Sequence, residues 1–246
     1  MELIRQGRIA EAAEAFFRQA VARNSTVDYY NAALAHSQAG NRDRALFCLD
    51  SVVSRNPVFW DAWTNYGVFF QQENKGPLAI KCYLTAARSP EPNRRALALF
   101  NLGALYARGG GLSIARSCYV SALRANPRLA IAVDGLGALY LRTGNHQRAR
   151  SLFHLSLEIQ PNLAEAHFNL ASIERARGDW QRASVYLASA VTGVAGGSSS
   201  PSFFFAQAYN NLGGALHALG RFEAALGAFS AAAAAVPGWG TPLVNR

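Results

Sequence analysis

The sequence contains no run of roughly eighteen uncharged apolar residues, the least that would suggest a membrane-spanning helix. Its opening stretch, MELIRQGRIAEAAEAFF, sets Glu2, Arg5 and Arg8 where a secretory signal needs an unbroken apolar segment. Cysteine is scarce. Cys48, Cys82 and Cys118 lie 34 and 36 residues apart, neither the tight pairing of a zinc site nor the density of a disulfide scaffold. Together these absences predict a soluble, cytoplasmic chain in a reducing setting, with no membrane contact.

Lysine is nearly missing too, since 22 of the 24 basic residues are arginine, and only 15 acidic residues stand against them, giving a net charge of +9. Arginine's planar fork suits carboxylate and phosphate, so an acidic partner is permitted. The arginines are scattered, however, which disfavours nucleic acid. The five histidines, His36, His146, His154, His167 and His217, show no metal-binding spacing. GGSSSP at 196–201 has neither the lysine of a phosphate loop nor the pattern of a nucleophile elbow, and the three glycines of ARGGGLSIA follow a helical pattern where a phosphate loop needs a strand. No cofactor, metal or catalytic constellation is predicted, and the chain reads as a non-enzyme.

What the sequence does have is repetition. NLGALYARGGG returns as GLGALYLRTGN at 135–145 and as NLGGALHALGR at 211–221. Behind each such segment an alanine opens a second apolar run, at Ala45, Ala79, Ala115, Ala149, Ala183 and Ala225, with intervals of 34, 36, 34, 34 and 42 residues. Four residues later comes a bulky apolar side chain: Leu49, Tyr83, Tyr119, Phe153, Leu187 and Phe229. Prolines close most units, at Pro57, Pro127, Pro161 and Pro237, with Pro90 and Pro92 near that place in the third. The spacing inside a unit is helical. Val133, Leu136, Gly137 and Tyr140 fall at i, i+3, i+4 and i+7, and Ala149, Leu152, Phe153 and Ser156 repeat it after a turn at 143–145. Two amphipathic helices joined by a turn make a hairpin. A column of small residues, Ala33, Gly67, Gly103, Gly137, Ala171 and Gly213, predicts close packing of its two helices.

This pattern resembles the tetratricopeptide repeat: leucine followed by a small residue, then tyrosine, alanine, an aromatic and proline over 34 residues. Asn74 replaces the turn glycine of the third unit, His36 and Glu174 replace the tyrosine of the second and sixth, and the sixth has no closing proline. Those units are expected to pack less regularly. The resemblance implies an all-α fold, a right-handed superhelical solenoid of antiparallel hairpins whose first helices line a concave groove. It implies a protein-interaction scaffold that takes a peptide or helix of a partner. The expected units are 1–25 as a half unit, then 26–59, 60–95, 96–129, 130–163, 164–205 and 206–239, with a tail at 240–246. The 42-residue interval has eight more residues than the 34-residue period, accommodated in a Gly/Ser-rich insertion at 192–203, read as a flexible loop or as a docking loop displaying Phe203 and Phe204.

One face of the first helices carries Asn31, Asn65, Asn101, Asn169 and Asn211 in one column, with Gly135 as the exception. Asparagine is a mediocre helix former, and its amide both donates and accepts, so the column could hold an extended peptide by its backbone. Three residues on stand Leu34, Val68, Ala104, Ala138, Ser172 and Gly214, and a further turn brings Gln38, Gln72, Arg108 and Arg142. The column is similar to the asparagine ladder in the repeat domain of O-linked N-acetylglucosamine transferases; a solvated consensus column is the other reading. That similarity implies, as an alternative function, the substrate-recruiting region of a larger glycosyltransferase. A third alternative is an RNA-binding helical repeat. The lysine and asparagine of a chaperone-tail clamp are absent, since the matching pairs are Tyr30 with Leu34, Thr64 with Val68, Phe100 with Ala104 and Asp134 with Ala138. Neither end carries an evident polar capping helix, which leaves pairing with a second copy through uncapped ends as an expectation.

Overall fold

The computed structural model describes residues 8–192 and 203–236. Among these residues there are thirteen α-helices and no strand. The turn expected at Gly7, the body of the insertion, Pro237 and the tail lie outside the described residues. Thr192 and Phe203, which the sequence places at the two ends of the insertion, are the last residue of one helix and the first of the next.

The chain divides into two compact units, Met1–Pro127 and Arg128–Arg246. The first holds α1 (Ile9–Arg23), α2 (Thr26–Gln38), α3 (Arg42–Arg55), α4 (Trp60–Gln72), α5 (Gly76–Ala86), α6 (Pro92–Arg108) and α7 (Leu112–Ala125). The second holds α8 (Ala130–Arg142), α9 (His146–Ile159), α10 (Ala164–Ala176), α11 (Trp180–Thr192), α12 (Phe203–Ala218) and α13 (Phe222–Ala235). Within each unit consecutive helices pack as antiparallel hairpins, α2 with α3, α4 with α5 and α6 with α7 in one, α8 with α9, α10 with α11 and α12 with α13 in the other.

The turns follow from backbone chemistry. Gly40, Gly110, Gly144, Gly178 and Gly220 end the first helices with φ between +73° and +82°, a conformation that costs a Cβ-bearing residue. Such a residue lets the chain reverse while the helix keeps its last carbonyls bonded: Asn145 N donates to Tyr140 O at 2.9 Å and Gly144 N to Leu141 O at 3.1 Å. Asn74 takes φ +56° in the same role, as asparagine tolerates this region better than other non-glycine residues, so the third unit closes as the others do. Helix starts are fixed locally. Ser25 Oγ accepts from Asp28 N at 3.3 Å before α2, Asn145 Oδ1 from Arg148 N at 3.1 Å before α9, and Asp179 Oδ1 from Arg182 N at 2.9 Å before α11.

Each hairpin is closed by one matched pair sixteen residues apart. A Cβ built on Gly67 would lie 2.5 Å from the Tyr83 ring, on Gly103 2.8 Å from Tyr119, on Gly137 2.7 Å from Phe153 and on Gly213 2.6 Å from Phe229. Where the bulky partner is Leu49 or Leu187 the small residue is Ala33 or Ala171, and these pairs share buried clusters. Glycine appears where an aromatic ring needs the space and alanine where leucine leaves room. Glycine inside a helix costs about 1 kcal/mol. Burying the ring returns about 2–3 kcal/mol, so the aromatic pair is favourable overall. His36 and Glu174, the departures from the tyrosine column, are fully buried, and their hairpins keep the same closure.

Candidate functional site

The first helices of unit 1 expose one stripe each: Val27, Asn31, Leu34 and Gln38 on α2; Asp61, Asn65, Val68 and Gln72 on α4; Leu97, Asn101, Ala104 and Arg108 on α6. The spacing i, i+4, i+7, i+11 keeps each stripe on one helical face. The asparagines are half-buried, and Gln38, Gln72 and Arg108 are exposed. Between α2 and α4 lies a cavity of about 60 Å³ lined by Leu34, Ser37, Asn65, Val68, Phe69 and Gln72, with Ala33, Ala45 and Leu49 as its floor. Its walls are mainly apolar, and three amide or hydroxyl groups, from Ser37, Asn65 and Gln72, stand beside it.

The asparagine column has a second use that the sequence reading missed. Asn65 Nδ2 donates to Tyr30 Oη at 2.7 Å, and Asn169 Nδ2 donates to the Asp134 carboxylate at 3.1 Å and 3.4 Å. In both cases the partner stands immediately before the same column in the preceding hairpin. The equivalent place behind Asn101 is Thr64, whose Oγ1 donates to Trp60 O at 3.3 Å. Behind Asn211 it is Phe168, and Asn211 Oδ1 instead accepts from Arg175 Nη1 at 3.0 Å. Asn31 and Asn101 make no side-chain hydrogen bond among the described residues. Three of the five asparagines, Asn65, Asn169 and Asn211, therefore hydrogen-bond to the preceding hairpin, whereas Asn31 and Asn101 do not. A polar side chain just before this column in the preceding hairpin, Tyr30 or Asp134, was the readable signal.

Charge on the unit 1 stripes is nearly all neutralised. Arg94 meets both Asp61 at 3.3 Å and Glu91 at 3.0 Å, and Glu73, next to Gln72, is met by Arg42 at 3.1 Å. Arg108 has no ion pair among the described residues and is exposed. Burial pushes the Tyr30 hydroxyl above its ordinary range, so it stays protonated and can accept from Asn65 while donating elsewhere.

Unit 2 carries Asn169 and Asn211 as above, with Arg142 exposed at the end of α8. Asp134 is 8% exposed. Burial pushes its carboxyl up to about 7, with nearby Glu165 adding to the rise and the Asn169 hydrogen bond opposing it. Phe204, in α12, packs on Phe168 with ring centroids 5.4 Å apart, while Phe203 at the start of that helix is exposed. Among the described residues no three His, Cys, Asp or Glu side chains gather as a metal site. Among the described residues no helix is long and apolar enough to cross a membrane.

A profile of the tetratricopeptide repeat matches residues 128–193, and a second profile of the same repeat matches 30–93 and 204–238, well over half of the chain in all. No curated protein matches the sequence. Among solved structures, Pseudomonas aeruginosa PilF is 21% identical, over 88% of this chain and 94% of that one, with a TM-score of 0.66. PilW, a type IV pilus biogenesis factor, is 19% identical over 85% and 92%, with a TM-score of 0.65. The APC/C hetero-tetramer Cut9–Hcn1 contains a chain 18% identical with a TM-score of 0.70; it aligns over 92% of this chain, which spans only 43% of that one. At these identities the likeness is one of fold.

Proposed function

The chain belongs to the tetratricopeptide-repeat family, and from that premise we propose that it is a protein-interaction scaffold whose unit 1 groove holds an extended segment of a partner. Repeats of this kind suggest protein–protein binding in general; the groove on α2, α4 and α6 is the specific reading. The observation that carries it is the cavity between α2 and α4, where Leu34 and Val68 give an apolar wall and Asn65, Ser37 and Gln72 give hydrogen-bonding groups. A ligand side chain fills the cavity, and the amides of Asn31 and Asn101 pair with ligand backbone on either side. In unit 2 the corresponding residues are Asn169, Asn211 and Arg142, and both asparagines are already hydrogen-bonded between hairpins. The donors of Asn65 and Asn169 are engaged between hairpins, which favours the cavity over a continuous asparagine ladder, and so favours a scaffold over a glycosyltransferase's recruiting region.

The test is selection of displayed random dodecapeptides on the whole chain, followed by affinity measurement. Val68→Arg, which places a long charged side chain at the cavity wall, is expected to weaken selected peptides at least about tenfold. Arg116→Ala on α7 should leave them unchanged. Peptides that bind both variants as well as the parent chain would remove the groove from consideration.

A further inference from the structure

The unit 1 groove is an amide and aliphatic surface with one uncompensated charge. Of its twelve stripe residues only Asp61 and Arg108 are ionic, and Asp61 is paired with Arg94. Of the other acids on or beside these helices, Glu91 is paired with Arg94 and Glu73 with Arg42, while Asp28 on α2 accepts a hydrogen bond from Gln19 at 3.1 Å. From Pro92 to Val133 there is no acidic residue at all, while Arg94, Arg95, Arg108, Arg116, Arg124 and Arg128 fall in that stretch. Arg108 repeats, one hairpin on, the helical place of Gln72, and Gln72 lines the cavity. The helices that bear them, α4 and α6, are in contact.

Resting on the groove reading above, we infer that the occupant is an acidic peptide: an extended segment that seats a small aliphatic side chain in the cavity and brings an Asp or Glu carboxylate to the Arg108 guanidinium. Helices in contact lie roughly 8–10 Å apart, and the cavity sits between α2 and α4, so cavity and guanidinium are separated by roughly 10–15 Å. An extended chain rises about 3.3 Å per residue, which places the acid three or four residues from the aliphatic one. A cavity of about 60 Å³ suits a compact aliphatic side chain such as Ala or Val. The guanidinium accepts a carboxylate through two parallel N–H donors, a geometry a scattered surface charge does not supply by itself.

The same dodecapeptide selection tests this on the full chain. The enriched sequences should pair Ala or Val with Asp or Glu at a spacing of three or four. Changing that acid to its amide should weaken binding at least about fivefold, as should Arg108→Gln, and the two changes together should cost little more than either alone. Selection on the Arg108→Glu chain should move the preference to Lys or Arg at that spacing. Peptides that depend on Val68 but ignore Arg108 would overturn the acidic assignment and leave the groove standing. Peptides that depend on neither would overturn both. An oligouridylate that binds the chain and is lost with Arg108→Gln would reassign the arginine to phosphate and end the peptide assignment.

Discussion

Two buried ionisable side chains respond to pH in opposite directions. His36 is fully buried, neither ring nitrogen has a hydrogen-bond partner, and the ring stands edge-on to Phe17 at 5.9 Å. Burial lowers its pKa, and the Arg44 charge lowers it further. The unfolded chain, with a histidine near 6.5, takes up the proton first, so stability falls as pH drops below about 6.5. Replacing His36 by Phe should remove that loss and raise stability by about 1–2 kcal/mol, read from urea unfolding at pH 5 and pH 8. Asp134 behaves the other way. Its carboxyl is pushed up to about 7, so the folded state holds the proton first. Its contribution is complete below about pH 4 and is lost as pH rises towards 7. Asp134→Asn keeps an acceptor for Asn169 and should raise stability at pH 8 by about 2–4 kcal/mol, with little gain at pH 4. A variant whose pH profile parallels that of the parent chain would mean the carboxyl is not the titrating group.

At the scale of the hairpin, the fold was legible because its signals are local: a period of helical spacing, a turn residue at a fixed offset, a small residue sixteen before a bulky one. The left-handed turn column and the packing column both stood in the sequence. The size rule that couples glycine to aromatics and alanine to leucine was also there, but its reason needs the 2.5–2.8 Å approach of ring to Cβ. It makes a sharp prediction. Gly137→Ala should destabilise by about 1–3 kcal/mol through overpacking, although alanine is the better helix former. Adding Phe153→Leu should recover at least half of that loss, giving the pairing seen at Ala33 and Leu49. The measurement is a double-mutant cycle by denaturant unfolding, and simple additivity would mean that the pair is not the closing contact. The candidate site was less legible. Asn65 and Asn169 were read as groove residues from their column, but whether an amide faces solvent or a neighbour depends on the residue 35 places earlier. The burial of Asp134 and the cavity beside Val68 arise from how two hairpins meet, which no single helical period encodes.

Over the whole molecule the contacts within each unit are sequential, each hairpin meeting the next, so stability is roughly a sum of neighbouring terms and opening can be local. The three cysteines turn that property into a readout. Cys48, Cys82 and Cys118 occupy one column of α3, α5 and α7, are free and buried, and lie in three successive hairpins of unit 1, while residues 128–246 contain none. Burial pushes the Cys48 and Cys82 thiols up to about 11, so closed hairpins present neither access nor thiolate. A thiol reagent with peptide mapping would thus act as three clocks in a row, each timing the opening of its own hairpin. Gly67→Ala, which crowds Tyr83 next to Cys82, should speed the middle clock most.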